Sequence, residues 1–169
     1  MLTDIPQYIP SSVCLKCDVC CRFEHPTDGW RPKVGETEKP VIDNVIRGKK
    51  WIDPQGFIYM HQGKGQCRCM FFNTSDQTCQ IYKERPFECI LYPFLLMEHE
   101  NQPWIGVHLA CPHIQKHYGD ASYQEFAEGL KTYFRQDHVT QFLKANPSLV
   151  RDFSMYRDQI NMVFPVDVS

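Results

Sequence analysis

Nine cysteines are the residues of this 169-residue chain best suited to chemistry. The densest group is Cys14-Leu-Lys-Cys17-Asp-Val-Cys20-Cys21. Two residues between thiolates allow a tight turn to aim both sulfurs at one metal ion, as in zinc knuckles. Three cysteines in series at that spacing can also wrap corners of an iron–sulfur cube, the last ligand arriving from far away. Adjacent cysteines in an extended backbone point to opposite sides, so Cys20 and Cys21 would then serve two neighbouring centres, or only one of them would ligate. A second group follows at Cys67, Cys69, Cys79 and Cys89, with Cys111 further on. Steps of ten residues form no knuckle, so the fold must bring these together.

Oxidised pairing fits poorly. Nine is an odd number, and the density, about 5% of the chain, falls below that of disulfide-stapled mini-proteins. The first residues, Met1 to Pro10, carry neither a basic region nor an apolar run of the secretory kind. A cytoplasmic, reducing location is therefore the expectation, with sulfur held by metal.

The cysteine segments resemble the YkgJ-type CxxCxxCC cysteine-cluster family, a zinc- or iron-chelating domain. Its opening motif is matched by Cys14 to Cys21. Its second signature is matched by Cys69, then Cys79-Gln-Ile-Tyr-Lys-Glu-Arg85-Pro86-Phe-Glu-Cys89, then Tyr92-Pro93-Phe94, with Cys111 as the late cysteine. The match spans roughly residues 14 to 112. It implies the ligands Cys14, Cys17, Cys20, Cys21, Cys69, Cys79, Cys89 and Cys111, leaving Cys67 as the odd one out. It also implies zinc or an iron–sulfur cluster as cofactor, the related motif of flagellin lysine methylase pointing towards iron–sulfur. Two positions depart from the pattern: Asp18 stands where the family commonly has Gly, and Ile90 where it commonly has Arg.

Lys16, Arg22, Arg68, Lys83 and Arg85 lie near ligands in sequence and could offset thiolate charge. Arg85, inside the Ile-Tyr-x-x-Arg-Pro stretch, is expected to have a fixed hydrogen-bonding role, and Tyr82 to be a packing residue with a satisfied hydroxyl. His113, two residues past Cys111, and His25, five past Cys20, could complete a site but read first as surface histidines, and His61, His99, His108, His117 and His138 have no ligand spacing. Nothing marks a catalyst. There is no Gly-x-Ser-x-Gly or His-Glu-x-x-His, Gly63-Lys64-Gly65 is too short for a phosphate loop, and a reactive cysteine needs an electropositive pocket and a base.

The elements that must position these thiols read as α+β. The chain should be a small, largely irregular metal-stapled cysteine-cluster domain over residues 1–115 with a β-hairpin, followed by a helical C-terminal extension over 116–169. Prolines at 6, 10, 26 and 32 interrupt the first stretch. A short helix is expected from Glu38 to Gly48. Trp51 to Tyr59 reads as a strand broken at Asp53-Pro54-Gln55-Gly56. Phe94 to His99 and Trp104 to Ala110 should form the hairpin. Ser122 with Glu125 suggests a capping box. Helices then follow from there, over Asp137 to Ala145, and from Ser148 to Met162 with Leu149, Phe153, Tyr156 and Ile160 on one side.

Leu, Ile, Val and Phe make up about a quarter of the chain, enough for a packed core. No apolar run reaches the ~18 residues of a membrane span. A net charge of −2 and a pI of about 6.4 argue against nucleic acid. The expected function is a cytoplasmic metal-binding protein whose partners are metal ions. The competing readings are an iron–sulfur enzyme or accessory for redox or methyl transfer, and a zinc-stabilised scaffold whose helical tail docks a protein partner.

Overall fold

The computed structural model describes residues 1–63 and 65–168. Lys64, the middle of the Gly63–Gly65 stretch, lies outside them. The chain mixes helices and antiparallel sheets and divides into two compact units. One contains Met1 and Ile9–Cys89, the other Leu2–Tyr8 and Ile90–Ser169.

The first unit is built from short pieces. Pro10 leads into one helical turn, α1 (Ser11–Cys14), and a 3-10 turn at Val19–Cys21 runs into β1 (Arg22–Phe23). The expected helix is α2 (Lys39–Ile46). Proline sits in its first turn, where the missing N–H costs nothing, and left-handed Arg47 (φ 46°) and Gly48 (φ 81°) end it. The broken strand is also present. Ile52 bridges Ile58 across a turn in which the Asp53 carboxylate accepts from the Gln55 and Phe57 amides and from Arg31.

β2 (Met60–Gln62) and β1 flank β3 (Cys67–Cys69) in a three-stranded antiparallel sheet, with Met60 opposite Cys69 and Phe23 opposite Cys67. β4 (Phe72–Asn73) and β5 (Thr78–Cys79) pair next, then come a 3-10 turn at Tyr82–Glu84 and α3 (Phe87–Leu91). Phe23, Val34, Ile42, Trp51, Ile58, Phe71 and Ile81 form the core, and Cys67 and Cys69 are buried in it.

In the second unit β6 (Phe94–His99) and β7 (Gln102–His108) form the expected hairpin. Glu100 and Asn101 turn it with φ of 51° and 59°, the left-handed pair that a two-residue hairpin loop requires. Helices α4 (Pro112–His117), α5 (Ala121–Tyr133) and α6 (Asp137–Ala145) follow. Phe94 stacks on Tyr123 of α5, with ring centroids 5.9 Å apart. The chain closes with β8 (Ile160–Pro165), antiparallel to the free edge of β7.

Two expectations need correction. The N-cap of α5 is Asp120, whose carboxylate accepts from the Tyr123 amide at 2.8 Å. Ser122 instead donates its hydroxyl to that carboxylate, since the charged group is the stronger acceptor for the helix end. The helix expected over 148–162 does not form. Its place is taken by 3-10 turns at Pro147–Leu149 and Ser154–Gln159, a bridge from Arg151 to Met97, and β8. Leu149, Phe153 and Ile160 are still buried, but the unpaired edge of β7 captures the segment as a strand. Because β8 joins the hairpin to the C-terminal residues, hairpin and helices share one unit, and position 115/116 falls inside α4. No helix among the described residues is long and apolar enough to cross a membrane.

Candidate metal centre

All nine cysteines are free thiols. Cys14 ends α1, and the Cys17 amide donates back to its carbonyl at 3.1 Å, so the Cys-x-x-Cys stretch is a tight turn. Cys20 and Cys21 lie in the 3-10 turn that follows. The extended backbone that would have sent them apart is absent, and their thiols hydrogen-bond each other. Cys69 comes from β3, Cys79 from β5 and Cys89 from the middle of α3.

These seven thiols form one electrostatic group. The charge on Cys14 is opposed by Cys20 and Cys17, that on Cys21 by Cys69, Cys89 and Cys79, and that on Cys89 by Cys69, Cys20 and Cys79. Residues spread over positions 14 to 89 therefore meet within the first unit. Cys67 is enclosed by the apolar core, opposite Phe23 and Gln62. Cys111 belongs to the second unit, buried at the N-terminus of α4. Among the described residues no group of three or more His, Cys, Asp or Glu side chains is set in a geometry that could hold a metal ion. The sulfurs are neighbours, but they do not close into a coordination sphere.

The proton balance says what such a group accepts. Burial pushes the Cys14, Cys79 and Cys89 thiols up and takes Cys69 to about 12. Cys89 is only partly covered as a residue, but its thiol is enclosed. The Cys20 thiol is held well above the ordinary range, first because it donates to Cys21 and then by burial. On Cys21 that same hydrogen bond pulls down, while burial and the thiols of Cys69, Cys89 and Cys79 outweigh it and leave the group raised. Without a cation these sulfurs stay protonated. They are the opposite of the activated thiolate that a nucleophile requires. A soft metal ion replaces the protons with positive charge and turns mutual repulsion into shared ligation.

Arg85 is the cation that recurs among the thiols, lowering Cys14, Cys20, Cys79 and Cys89. It is buried, and its position is fixed from three sides. Nε donates to the Tyr82 carbonyl at 2.8 Å, Nη1 to Cys14 Sγ at 3.8 Å, and the guanidinium lies 3.7 Å from the Tyr82 ring centre. The Tyr82 hydroxyl also hydrogen-bonds Cys14. Arg22 and Arg68 are engaged elsewhere. Both pair with Asp18, at 3.1 and 2.6 Å, so this aspartate clamps the Cys17–Cys20 turn to β3.

Glu38 is the supporting residue that sequence reasoning missed. It is fully buried, and its two carboxylate oxygens accept from the Gly35 amide at 2.9 Å and the Phe87 amide at 2.8 Å. Phe87 opens α3, so this carboxylate anchors the short helix that carries Cys89. The Gly35-x-x-Glu38 spacing was the signal that could have found it, a glutamate reaching back three residues to a free amide.

Residues 13–112 match the model of the CxxCxxCC family, described as "Putative zinc- or iron-chelating domain". No curated protein and no solved structure matches the chain.

Proposed function

The chain belongs to the CxxCxxCC family of zinc- or iron-chelating domains, and on that premise we propose that it is a cytoplasmic metal-binding module whose centre is built from Cys14, Cys17, Cys20, Cys21, Cys69, Cys79 and Cys89. The observation that carries this reading is the gathering of free thiols in the first unit, four of which, Cys14, Cys20, Cys79 and Cys89, share the field of one buried guanidinium. An all-thiolate donor set suits zinc and iron–sulfur centres and disfavours the hard cations magnesium and calcium. Of the two we favour an iron–sulfur cluster, because Cys14, Cys17 and Cys20 follow the spacing that wraps a cube. Such a cluster supplies one-electron redox capacity when bound. The protein's own part is to exclude water, to offset charge through Arg85 and to hold the cysteine turns with Glu38 and Asp18. Binding rather than catalysis is the role, since Cys14, Cys20, Cys21, Cys69, Cys79 and Cys89 are all raised, the reverse of an activated thiolate.

Anaerobic purification followed by elemental analysis and a visible spectrum tests this. Iron with matching acid-labile sulfide and a brown colour that bleaches on reduction is the expected result. A colourless protein with stoichiometric zinc overturns the cluster and keeps the thiolate centre. Protein that takes up neither metal overturns the centre itself.

A further inference from the structure

The second unit carries a pair of histidines that lie outside the cysteine signatures. His113 and His117 stand four residues apart on α4, a spacing that puts side chains one above the other on a helix face. Their ring centroids are 4.5 Å apart and the planes are inclined by 40°. His113 is also braced by an edge contact with the Tyr8 ring, at 5.3 Å. His117 Nδ1 lies 3.0 Å from Asp120 Oδ2. That carboxylate is itself fixed, because its other oxygen accepts from the Tyr123 amide and the Ser122 hydroxyl. Asp120 therefore holds the His117 tautomer with hydrogen on Nδ1 and leaves the Nε2 lone pair as the one that can ligate.

We propose that His113 and His117 form a second metal site for a divalent ion of the Ni²⁺ or Cu²⁺ kind, with Asp120 as the carboxylate behind His117. A ligating imidazole whose other nitrogen donates to a carboxylate is the usual supported arrangement at metal sites. The spacing bears on the choice of ion. With metal–nitrogen bonds of about 2.1 Å, two imidazoles at right angles around one ion have centroids about 4.5 Å apart, and at the tetrahedral angle about 5.2 Å. The observed 4.5 Å fits neighbouring positions of a square or octahedral sphere, the preference of Ni²⁺ and Cu²⁺ rather than zinc. Two side chains ligate and water completes the sphere. The site uses nitrogen where the first unit uses sulfur, and stands independently of the thiolate centre.

The test titrates Ni²⁺ calorimetrically into full-length protein as isolated, with the metal content of the thiolate centre measured before and after. Wild type is expected to take up one further equivalent without losing the metal already present. His113→Ala and His117→Ala lose that equivalent, and His138→Ala keeps it. Asp120→Asn preserves the helix cap and is expected to weaken binding 10- to 100-fold. Zn²⁺ should bind the same site more weakly than Ni²⁺. No further equivalent in wild type, or one that survives both histidine substitutions, overturns the site. Unchanged affinity in Asp120→Asn overturns the role given to the carboxylate, and tighter binding of Zn²⁺ overturns the choice of ion.

Discussion

Replacing Glu38 should loosen the thiolate centre without touching a ligand. Its carboxylate is fully buried and is the acceptor for the Gly35 and Phe87 amides. Glu38→Ala leaves both N–H groups without it, and each buried unsatisfied donor costs about 1–3 kcal/mol. Relief from burying the carboxyl returns part of this, so the expected net loss is about 3 kcal/mol, a fall in Tm on the order of 10 °C. Glu38→Gln keeps one acceptor and brings an NH2 against the other amide, so its loss should be smaller.

The pH dependence separates a titrating carboxyl from a merely bulky one. Burial pushes Glu38 up from 4.5 to about 7, against the downward pull of both hydrogen bonds. Between those values the folded chain holds a proton that the unfolded chain has released. The contribution to stability is thus complete below about pH 4.5 and is lost as pH rises through 7, a change of about 3 kcal/mol. Glutamine carries no proton to lose. Melting of the metal-loaded proteins from pH 5.5 to 8 should show the gap between wild type and Glu38→Gln narrowing as pH rises. A Glu38→Ala protein within 0.5 kcal/mol of wild type at pH 5.5, or a gap that widens with pH, would refute the reasoning.

Anaerobic metal removal, or Cys17→Ser, should abolish hydrogen-exchange protection in Cys67–Cys69 while the hairpin from Phe94 to Val107 keeps its own, since structural metal contributes on the order of 10 kcal/mol to folding; unchanged protection throughout counts against a structural centre. Arg85→Gln removes the charge beside Cys14 and Cys79 and should lower metal content per chain, with Arg85→Lys intermediate because it keeps the charge but not the fixed contacts with Tyr82. Equal metal content in all three proteins would remove Arg85 from the centre. Gly106→Ala places a Cβ 2.6 Å from Ile160 Cγ2 and 2.8 Å from Met97 Sδ, so it should cost about 1–3 kcal/mol in a denaturant titration. Asp18→Gly should cost less than about 1 kcal/mol, and high salt should erase the difference, because the Arg22 and Arg68 pairs are partly exposed.

Local signals are legible in the sequence where one short segment settles its own structure. Proline in the first turn and glycine at the end mark α2. The Asp53 turn and the Phe94–His108 hairpin are readable because turn residues and alternating apolar residues lie side by side. Spacing and motif set the cysteines apart as one chemical group, and seven of them do gather. The Ser122 cap fails because Asp120, two residues earlier, holds the stronger acceptor. The helix expected over 148–162 fails because apolar spacing is blind to a sheet edge that needs a partner far away in the chain.

Composition and spacing alone determined that reduced sulfur dominates the chemistry of this chain, since thiol number, thiol spacing and the turn residues are written within a few positions of each other. Only the tertiary structure decided who supports whom: that Glu38 anchors α3, that Arg85 rather than Arg22 or Arg68 faces the thiols, and that Asp120 stands behind His117. Such pairings join residues through space, and burial and charge act over ångströms, a distance that order along the chain does not record.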